Sequence, residues 1–214
     1  MNVWSDTNDW HGTYADVHAE AQRLVGALQA AGLRPGDVVP FQLPNWREAI
    51  VSFYALAMGG YVLVPIVHIY GSKEVRFILD QCGARAYISA DRFGHVDYLD
   101  IVEGAPAGTL PDLALHVVVG DATTSDRVKR IGWDAVDAAE PATFGNPSNP
   151  EDVCVLAYTS GTTSAPSVSS VHQPSARYRS RNSAGTVRTG QVTRGPGPAC
   201  GSRCRAALCS VARR

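Results

Sequence analysis

Strand and helix patterns alternate along the chain, and this alternation restricts the fold more than any other feature. Thr13 to Ala31 predicts an amphipathic helix, because its apolar residues recur at helical spacing. Short apolar runs predict buried strands at 38–43, 61–66 and 85–89, and helices are predicted between them at 46–59 and 72–83. Strand, helix and strand in this order indicate right-handed crossovers between parallel strands.

Two of these helices carry end signals. Thr13 and Asp16 form an approximate capping box, and Gly32 is placed to end the first helix. Ser72 is expected to cap the later helix and Gly83 to end it.

The second half continues the alternation. It predicts a short helix at 95–102, a strand at 113–120, a helix at 133–139, a loop at 147–152 and a strand at 153–159. Near-continuous apolar strands alternating with helices predict an α/β fold, with a mostly parallel sheet flanked by helices.

Charge divides the chain into two parts. Residues 1–166 hold ten Lys and Arg against twenty Asp and Glu, for a net charge of 10 − 20 = −10. Residues 167–214 hold nine Arg and no acidic residue, for +9. We therefore expect one folded unit over 1–166 and a separate segment over 167–214.

The basic segment 167–214 lacks the apolar surface that a folded unit must bury. It contains no Ile, Phe, Trp or Met and a single Leu, so it is expected to be disordered. Its abrupt start suggests a shift of reading frame at about codon 167, since GC-rich coding read out of phase yields Arg, Ala, Gly, Pro and Ser. Binding of nucleic acid by the arginines is the weaker alternative.

Compartment signals are few. Met1 opens onto NVWSDTNDWHG, which is no signal peptide, and the longest apolar runs are too short to span a bilayer. Cys82 and Cys154 lie in apolar segments and form no disulfide framework. We expect a soluble cytoplasmic protein.

The stretch VLAYTSGTTSAPS, residues 155–167, runs from an apolar strand into small and hydroxylated residues. Such a loop suits phosphate, because backbone N–H groups can converge on anionic oxygens and hydroxyls add donors. It is not a Walker A loop, which needs GxxxxGK[ST]. Spacing alone leaves a plain surface turn as the alternative.

YTSGTTSAP, residues 158–166, closely resembles the phosphate loop of the adenylate-forming superfamily, whose pattern is [Ser/Thr]-Ser-Gly-[Ser/Thr]-Thr-Gly-x-Pro-Lys-Gly. The upstream stretches GTYADVHAEAQRLVGALQAAGLRPGDVVPFQLPN and EAIVSFYALAMGGYVLVPI are similar to the family in order and spacing. The resemblance covers roughly residues 10–166 and implies a partial N-terminal AMP-binding domain. PIVHIYGSKEVRFIL favours the acyl-CoA synthetase, or fatty-acid–CoA ligase, branch.

The resemblance implies a reaction in which a carboxylic acid, ATP and coenzyme A give acyl-CoA, AMP and pyrophosphate, with Mg²⁺ on the phosphates. A fatty acid is the implied substrate. The implied phosphate contacts are Thr159, Ser160, Gly161, Thr162, Thr163 and Ser164, with Pro166 fixing the exit of the loop.

Three positions depart from the family pattern. Ser164 replaces a glycine, Ser167 replaces the loop lysine, and Val168 replaces the glycine that follows it. The sequence also contains no Tyr-Gly-x-Thr-Glu segment, no ribose-binding aspartate and no C-terminal domain with its catalytic lysine. The chain is therefore expected to be a truncated and inactive member, with no catalytic residue and no metal ligand assigned. A non-enzymatic nucleotide-binding fragment is the alternative.

Five histidines of the first part are scattered. His68 follows a strand end and could line an acyl pocket, while His11, His18, His95 and His116 are expected at the surface or in loops. The three cysteines of the basic segment are spaced C-x3-C-x4-C, which fits no standard zinc site.

Overall fold

The computed structural model describes residues 1–3, 9–143, 152–159, 167–172 and 190–191. Twelve strands lie within these ranges: β1 Asn2–Val3, β2 Trp10–His11, β3 Val38–Gln42, β4 Val62–Pro65, β5 Ala86–Ala90, β6 Arg92–Phe93, β7 Val96–Asp97, β8 Leu115–Val119, β9 Lys129–Gly132, β10 Val153–Thr159, β11 Ser167–His172 and β12 Gly190–Gln191. Five helices accompany them: α1 Tyr14–Ala30, α2 Arg47–Met58, α3 Ser72–Cys82, α4 Leu99–Glu103 and α5 Trp133–Asp137.

The main sheet has the strand order β12-β11-β10-β4-β3-β5-β8-β9. The strands from β10 to β9 in this order are all parallel to their neighbours, and β11 and β12 extend one edge in antiparallel pairing. This confirms the predicted α/β fold with a mostly parallel sheet flanked by helices.

The helices form two groups. Helix α1 packs against α2 and α5, whereas α3 packs against α4. The chain moves from β3 to β4 in one direction and then returns past β3 to β5. With right-handed crossovers, this reversal places α2 and α3 on opposite faces of the sheet.

Helix α1 begins where the sequence predicts. The Thr13 hydroxyl accepts the Asp16 N–H at 3.2 Å, and the Asp16 carboxylate accepts the Thr13 N–H at 2.7 Å. These hydrogen bonds confirm the capping box. The bond donated by the Thr13 N–H stabilises the ionised carboxylate and so lowers the pKa of Asp16. Gly32 follows the helix with φ of 89°, a backbone conformation that suits glycine.

One glycine inside α1 lets the chain approach closely. A Cβ atom on Gly26 would lie 2.0 Å from the carbonyl oxygen of Glu140. The Ala142 N–H donates to the Gln22 carbonyl at 2.9 Å in the same place. Gly26 therefore lets the segment after α5 lie directly on α1.

Two helix starts differ from the prediction. The N-cap of α3 is Gly71 rather than Ser72, and no side chain caps this helix. The predicted helix over 95–102 begins only at Leu99, because Gly94 with φ of 59° turns the chain between β6 and β7. The Asp97 carboxylate then accepts the Leu99 N–H at 3.1 Å, which starts α4.

The segment after Pro166 also differs from the expected disorder at Ser167–His172, which form β11 beside β10. The pairing is made by backbone groups, so it needs no apolar side-chain period, and β10 offers a free edge on that side of β4. Apart from these residues and 190–191, the segment 167–214 lies outside the described residues.

None of the helices in the described part of the chain is both long and apolar enough to cross a membrane.

Candidate functional site

Four segments of the chain lie at the carboxyl ends of the parallel strands, which we call the carboxyl edge of the sheet. Residues 43–46 follow β3, residues 66–71 follow β4, Asp91 follows β5, and Thr159 ends β10. In open α/β sheets, ligands bind outside the carboxyl ends of the strands where the strand order reverses. Here the reversal lies around β3, with β4 on one side and β5 on the other.

Thr159 is the one predicted phosphate contact whose backbone the structure describes. It closes β10 and is paired with Ser167, the first residue of β11. Both ends of the segment 160–166 are therefore held side by side at the carboxyl edge. The other predicted contacts lie outside the described residues: Ser160, Gly161, Thr162, Thr163, Ser164 and Pro166.

The strand that delivers this segment lies next to the reversal. Val155 of β10 is paired with Leu63 of β4, and β4 is paired along its length with β3. The start of the Ser/Thr/Gly segment therefore lies one strand away from the expected ligand crevice. The donor set of this segment, hydroxyls and backbone N–H groups, fits the phosphates of ATP.

An aromatic cluster, formed by Trp46, Phe93 and His68, lies at the same edge. The Phe93 ring meets the Trp46 ring edge to face at 5.7 Å between centroids, and it meets the His68 ring in the same way at 5.7 Å. These residues follow β3, β5 and β4, so the cluster spans the reversal. The sequence flagged only His68; all three do follow strand ends, a signal that could have found the other two.

A buried set of side chains crosses the middle of the sheet. We call it the sheet network, and its members are Gln42, Tyr87, Ser89, His116 and Arg130. The Tyr87 hydroxyl donates to the Gln42 amide oxygen at 2.6 Å, and the Tyr87 ring stacks on the His116 ring at 5.0 Å. The network links β3, β5, β8 and β9.

His116 lies inside this network, so its expected place at the surface is wrong. It is fully buried on β8, where a run of apolar residues pairs with both neighbouring strands. The Arg130 Nε–H donates to His116 Nδ1 at 3.3 Å, so the imidazole proton is on Nε2 and is donated to the Ser89 hydroxyl at 2.8 Å. Burial lowers the pKa of His116 to about 3, which keeps the ring neutral.

No group of three or more His, Cys, Asp or Glu side chains in the described part of the chain is placed to hold a metal ion. Cys82 is a buried free thiol whose pKa is raised to about 12 by burial. Cys154 on β10 is half-buried and free, and burial raises its pKa as well. Neither thiol has the lowered pKa of a reactive cysteine.

The sequence matches the family model of the AMP-binding enzymes over residues 3–168. The chain belongs to the AMP-binding enzyme family. This finding agrees with the fold, with the resemblance of residues 158–166, and with the sheet edge at which Thr159 lies. The matched region stops two residues after Pro166, where the composition changes.

The relatives of the chain include a synthetase and a CoA ligase. The chain is 33% identical over 137 residues to triostin synthetase I of Streptomyces triostinicus, covering 62% of this chain and 25% of that protein. It is 31% identical over 160 residues to a long-chain-fatty-acid–CoA ligase of Mycobacterium tuberculosis, covering 75% and 29%.

A solved CoA ligase shares the fold. The chain superimposes with a TM-score of 0.67 and 26% identity on an anthranilate CoA ligase in complex with anthranoyl-AMP, covering 79% of this chain and 31% of the other. The chain thus spans about a quarter to a third of the length of the relatives it matches.

Proposed function

We propose that this chain is the nucleotide-binding N-terminal part of an AMP-forming acyl-CoA synthetase, and that residues 159–166 hold the phosphates of ATP. The β10–β11 hairpin is the observation that carries this proposal. It holds both ends of a Ser/Thr/Gly segment at the carboxyl edge, next to the reversal of strand order where ligands bind.

The proposed role of these residues in the reaction is to stabilise the charge on the departing phosphates. In the whole enzyme, a carboxylate oxygen attacks the α-phosphorus of ATP, the bond to the β-phosphate oxygen breaks, and pyrophosphate leaves. The sulfur of coenzyme A then displaces AMP from the acyl group. Hydroxyls of Thr162 and Thr163 and backbone N–H groups of the loop would donate to the departing phosphates. Mg²⁺, when bound, neutralises charge on the same oxygens.

The acid partner is proposed to be a carboxylic acid of the fatty-acid class. A fatty-acid–CoA ligase among the relatives supports this choice. The anthranilate ligase marks an aromatic acid as the competing class.

We also propose that the protein acts in the cytoplasm.

We propose that the 214-residue chain alone does not turn over. It has Ser167 where the family has a lysine, and it lacks the motifs that hold adenine and ribose. A charge-assisted contact contributes roughly 1.5–3 kcal/mol, whereas orientation of the reactants accounts for roughly 7–11 kcal/mol of a barrier. The double substitution Ser167→Lys with Val168→Gly should therefore leave carboxylate-dependent release of pyrophosphate undetectable.

Binding of ATP tests the assigned loop directly. With ¹⁵N-labelled chain, MgATP should shift the amide resonances of residues 155–159, and Thr162→Ala should weaken this binding by about fivefold to tenfold through loss of one hydrogen bond. Thr124→Ala, an exposed threonine of another loop, is the matched control and should bind like the parent chain. Unchanged binding in Thr162→Ala would refute the assigned contact, and turnover by the parent chain would refute its inactivity.

The boundary at residue 166 is proposed to be a shift of reading frame. The reversal of net charge, the end of the family match at residue 168 and the loss of the Lys-Gly pair support it. The DNA beyond codon 166 should encode Lys-Gly and the rest of the enzyme in another frame. If the basic segment instead binds nucleic acid, binding of single-stranded RNA should fall steeply with salt and resist competition by ATP.

A further inference from the structure

The turn that follows β4, residues 67–70, exposes two aliphatic side chains. The Tyr70 N–H donates to the Val67 carbonyl at 3.1 Å and closes the turn. Val67 is 47% exposed and Ile69 is 66% exposed. Side chains exposed to this extent add little hydrophobic stabilisation, so the turn depends on the hydrogen bonds made by its backbone.

Gln42 holds this backbone in place by hydrogen bonds from the protein interior. It is fully buried at the end of β3, and its amide group donates to the Val67 carbonyl at 3.0 Å and to the Tyr70 carbonyl at 3.0 Å. Both amide hydrogens are therefore used on the turn. The amide oxygen accepts the Tyr87 hydroxyl at 2.6 Å. The reverse orientation of the amide is excluded, because its oxygen would then face the carbonyl oxygens of Val67 and Tyr70.

Tyr98 fastens the middle of the turn. Its hydroxyl donates to the His68 carbonyl at 2.8 Å. The ordinary pKa of tyrosine is 10, and burial raises that of Tyr98 further, so the hydroxyl is a donor at neutral pH. Every carbonyl of Val67, His68 and Tyr70 thus accepts a hydrogen bond from a side chain that approaches from the protein interior.

We propose that Gln42 and Tyr98 are positioning residues. They preform the turn 67–70 and thereby hold the His68 ring against Phe93, inside the aromatic cluster at the carboxyl edge. Two buried side chains aimed at one exposed turn fix its backbone before any ligand arrives, which lowers the ordering cost of binding there. The importance of the turn for substrates rests on the proposed function, whereas its clamping rests on the hydrogen bonds alone.

We call the hydrogen bonds from Gln42 and Tyr98 to the turn the clamp. Hydrogen exchange and ring-proton shifts in the 214-residue chain test the clamp without any ligand. Gln42→Leu keeps the size of the side chain but removes both donors. We expect exchange of the Tyr70 amide to become faster by about fivefold or more, as expected for the loss of hydrogen bonds of roughly 1 kcal/mol. The His68 ring protons should also lose the ring-current shift that the Phe93 ring imposes.

Tyr98→Phe and Ser89→Ala complete the design. Tyr98→Phe removes a single hydroxyl and should move the His68 ring protons in the same direction even if Gln42→Leu does not fold. Ser89→Ala alters the sheet network without touching the turn, so it should lower global stability and leave both local signals in place. If Gln42→Leu and Tyr98→Phe move these signals no more than Ser89→Ala does, the clamp is refuted.

The two proposals fail separately. In one outcome, the clamp variants change Tyr70 exchange and the His68 ring shift while MgATP leaves the amides of residues 155–159 of the parent chain unshifted. This result would support the clamp and refute the nucleotide assignment. The converse result would sink the clamp and leave the nucleotide assignment standing.

Discussion

Two polar clusters of this molecule, one buried and one partly buried, differ in how fully their hydrogen-bonding groups are paired. In the sheet network, Arg130 donates to His116 and His116 donates to Ser89, and the Ser89 hydroxyl donates onward to the Ala90 carbonyl at 2.8 Å. Each proton in this chain of hydrogen bonds has an acceptor. Buried polar groups of this kind contribute to stability because nothing is left unpaired.

The second cluster lies between α1 and α2, and we call Glu20, Arg47 and Glu48 the helix triad. Arg47 lies 3.0 Å from the Glu48 carboxylate and 3.5 Å from the Glu20 carboxylate. The nearer Glu20 oxygen and the Arg47 Nε are both buried without a hydrogen bond. One guanidinium here faces two carboxylates and satisfies only one of them well.

The pKa shifts express the difference. Burial is the largest cause in both clusters, and it disfavours the charged form of each group. It lowers the pKa of His116, which stays neutral at pH 7, and it raises the pKa of Glu20, so burial opposes ionisation of this carboxylate. The sheet network is thus suited to neutral pH and sensitive to acid, whereas the Glu20 contribution improves as the pH falls.

The largest expected effect is the acid sensitivity of the sheet network. Because the folded pKa of His116 is about 3 and the ordinary value is 6.5, the unfolded chain takes up the proton first. The free energy of unfolding should fall by up to about 1.4 kcal/mol per pH unit below 6.5. Urea unfolding of the parent chain and of His116→Gln between pH 7.5 and 4 measures this, and the variant should have the smaller slope. Parallel curves would contradict the buried, neutral imidazole.

Removal of the Arg130 guanidinium from the sheet network should give the second largest effect. The Arg130 side chain is 2% exposed and also lies 2.6 Å from the Glu103 carboxylate. Arg130→Met leaves both His116 Nδ1 and Glu103 without this donor, and should lower the free energy of unfolding by about 2–3 kcal/mol.

Arg92→Met is the matched control for this loss. It breaks an ion pair of 2.8 Å with Asp97, but the Arg92 side chain is 70% exposed. Exposed pairs contribute roughly 0–1 kcal/mol. Equal destabilisation by the two variants would show that burial does not distinguish these arginines.

The parts of the fold that could be predicted from the sequence are those with a local apolar period. Helix α1 and strands β3, β4 and β5 bury enough side chains to show a pattern within a few residues. Strand β9 could not be found in this way, because Lys129–Gly132 is short and polar and is a strand only through its pairing with β8. The β6–β7 hairpin likewise depends on the positive φ of Gly94.

The candidate site divides along the same line. The end of β10 at Thr159 follows from an apolar run that meets a Ser/Thr/Gly stretch, and both features are local. The clamp on the turn 67–70 joins Gln42 to residues 25 and 28 positions away, so no window of sequence contains it. His116 was recognisable in part, since it interrupts an apolar run that was itself predicted to be a strand.

Relief of the helix triad should give a smaller effect of the opposite sign. Glu20→Gln removes the carboxylate that burial opposes and should raise the free energy of unfolding at pH 7 by about 1 kcal/mol. Because the folded pKa of Glu20 is raised, its charged form costs stability only as the pH rises through that pKa. The gain should therefore shrink as the pH falls. Glu74→Gln, at an exposed position of α3, should bring no gain, and an equal gain there would remove burial as the cause.

The smallest expected effect comes from replacing serine by alanine at two buried positions, one with an unpaired hydroxyl and one with a paired hydroxyl. Ser52 on α2 and Ser89 on β5 are both fully buried, but the Ser52 hydroxyl has no hydrogen-bond partner while the Ser89 hydroxyl has two. Ser89→Ala leaves His116 Nε2–H without an acceptor and should cost about 1 kcal/mol. Ser52→Ala removes an unpaired hydroxyl and should be neutral or stabilising by about 0.5 kcal/mol. Chemical denaturation of both variants at pH 7 resolves the sign, and a loss at Ser52 as large as that at Ser89 would mean that this hydroxyl is satisfied in solution.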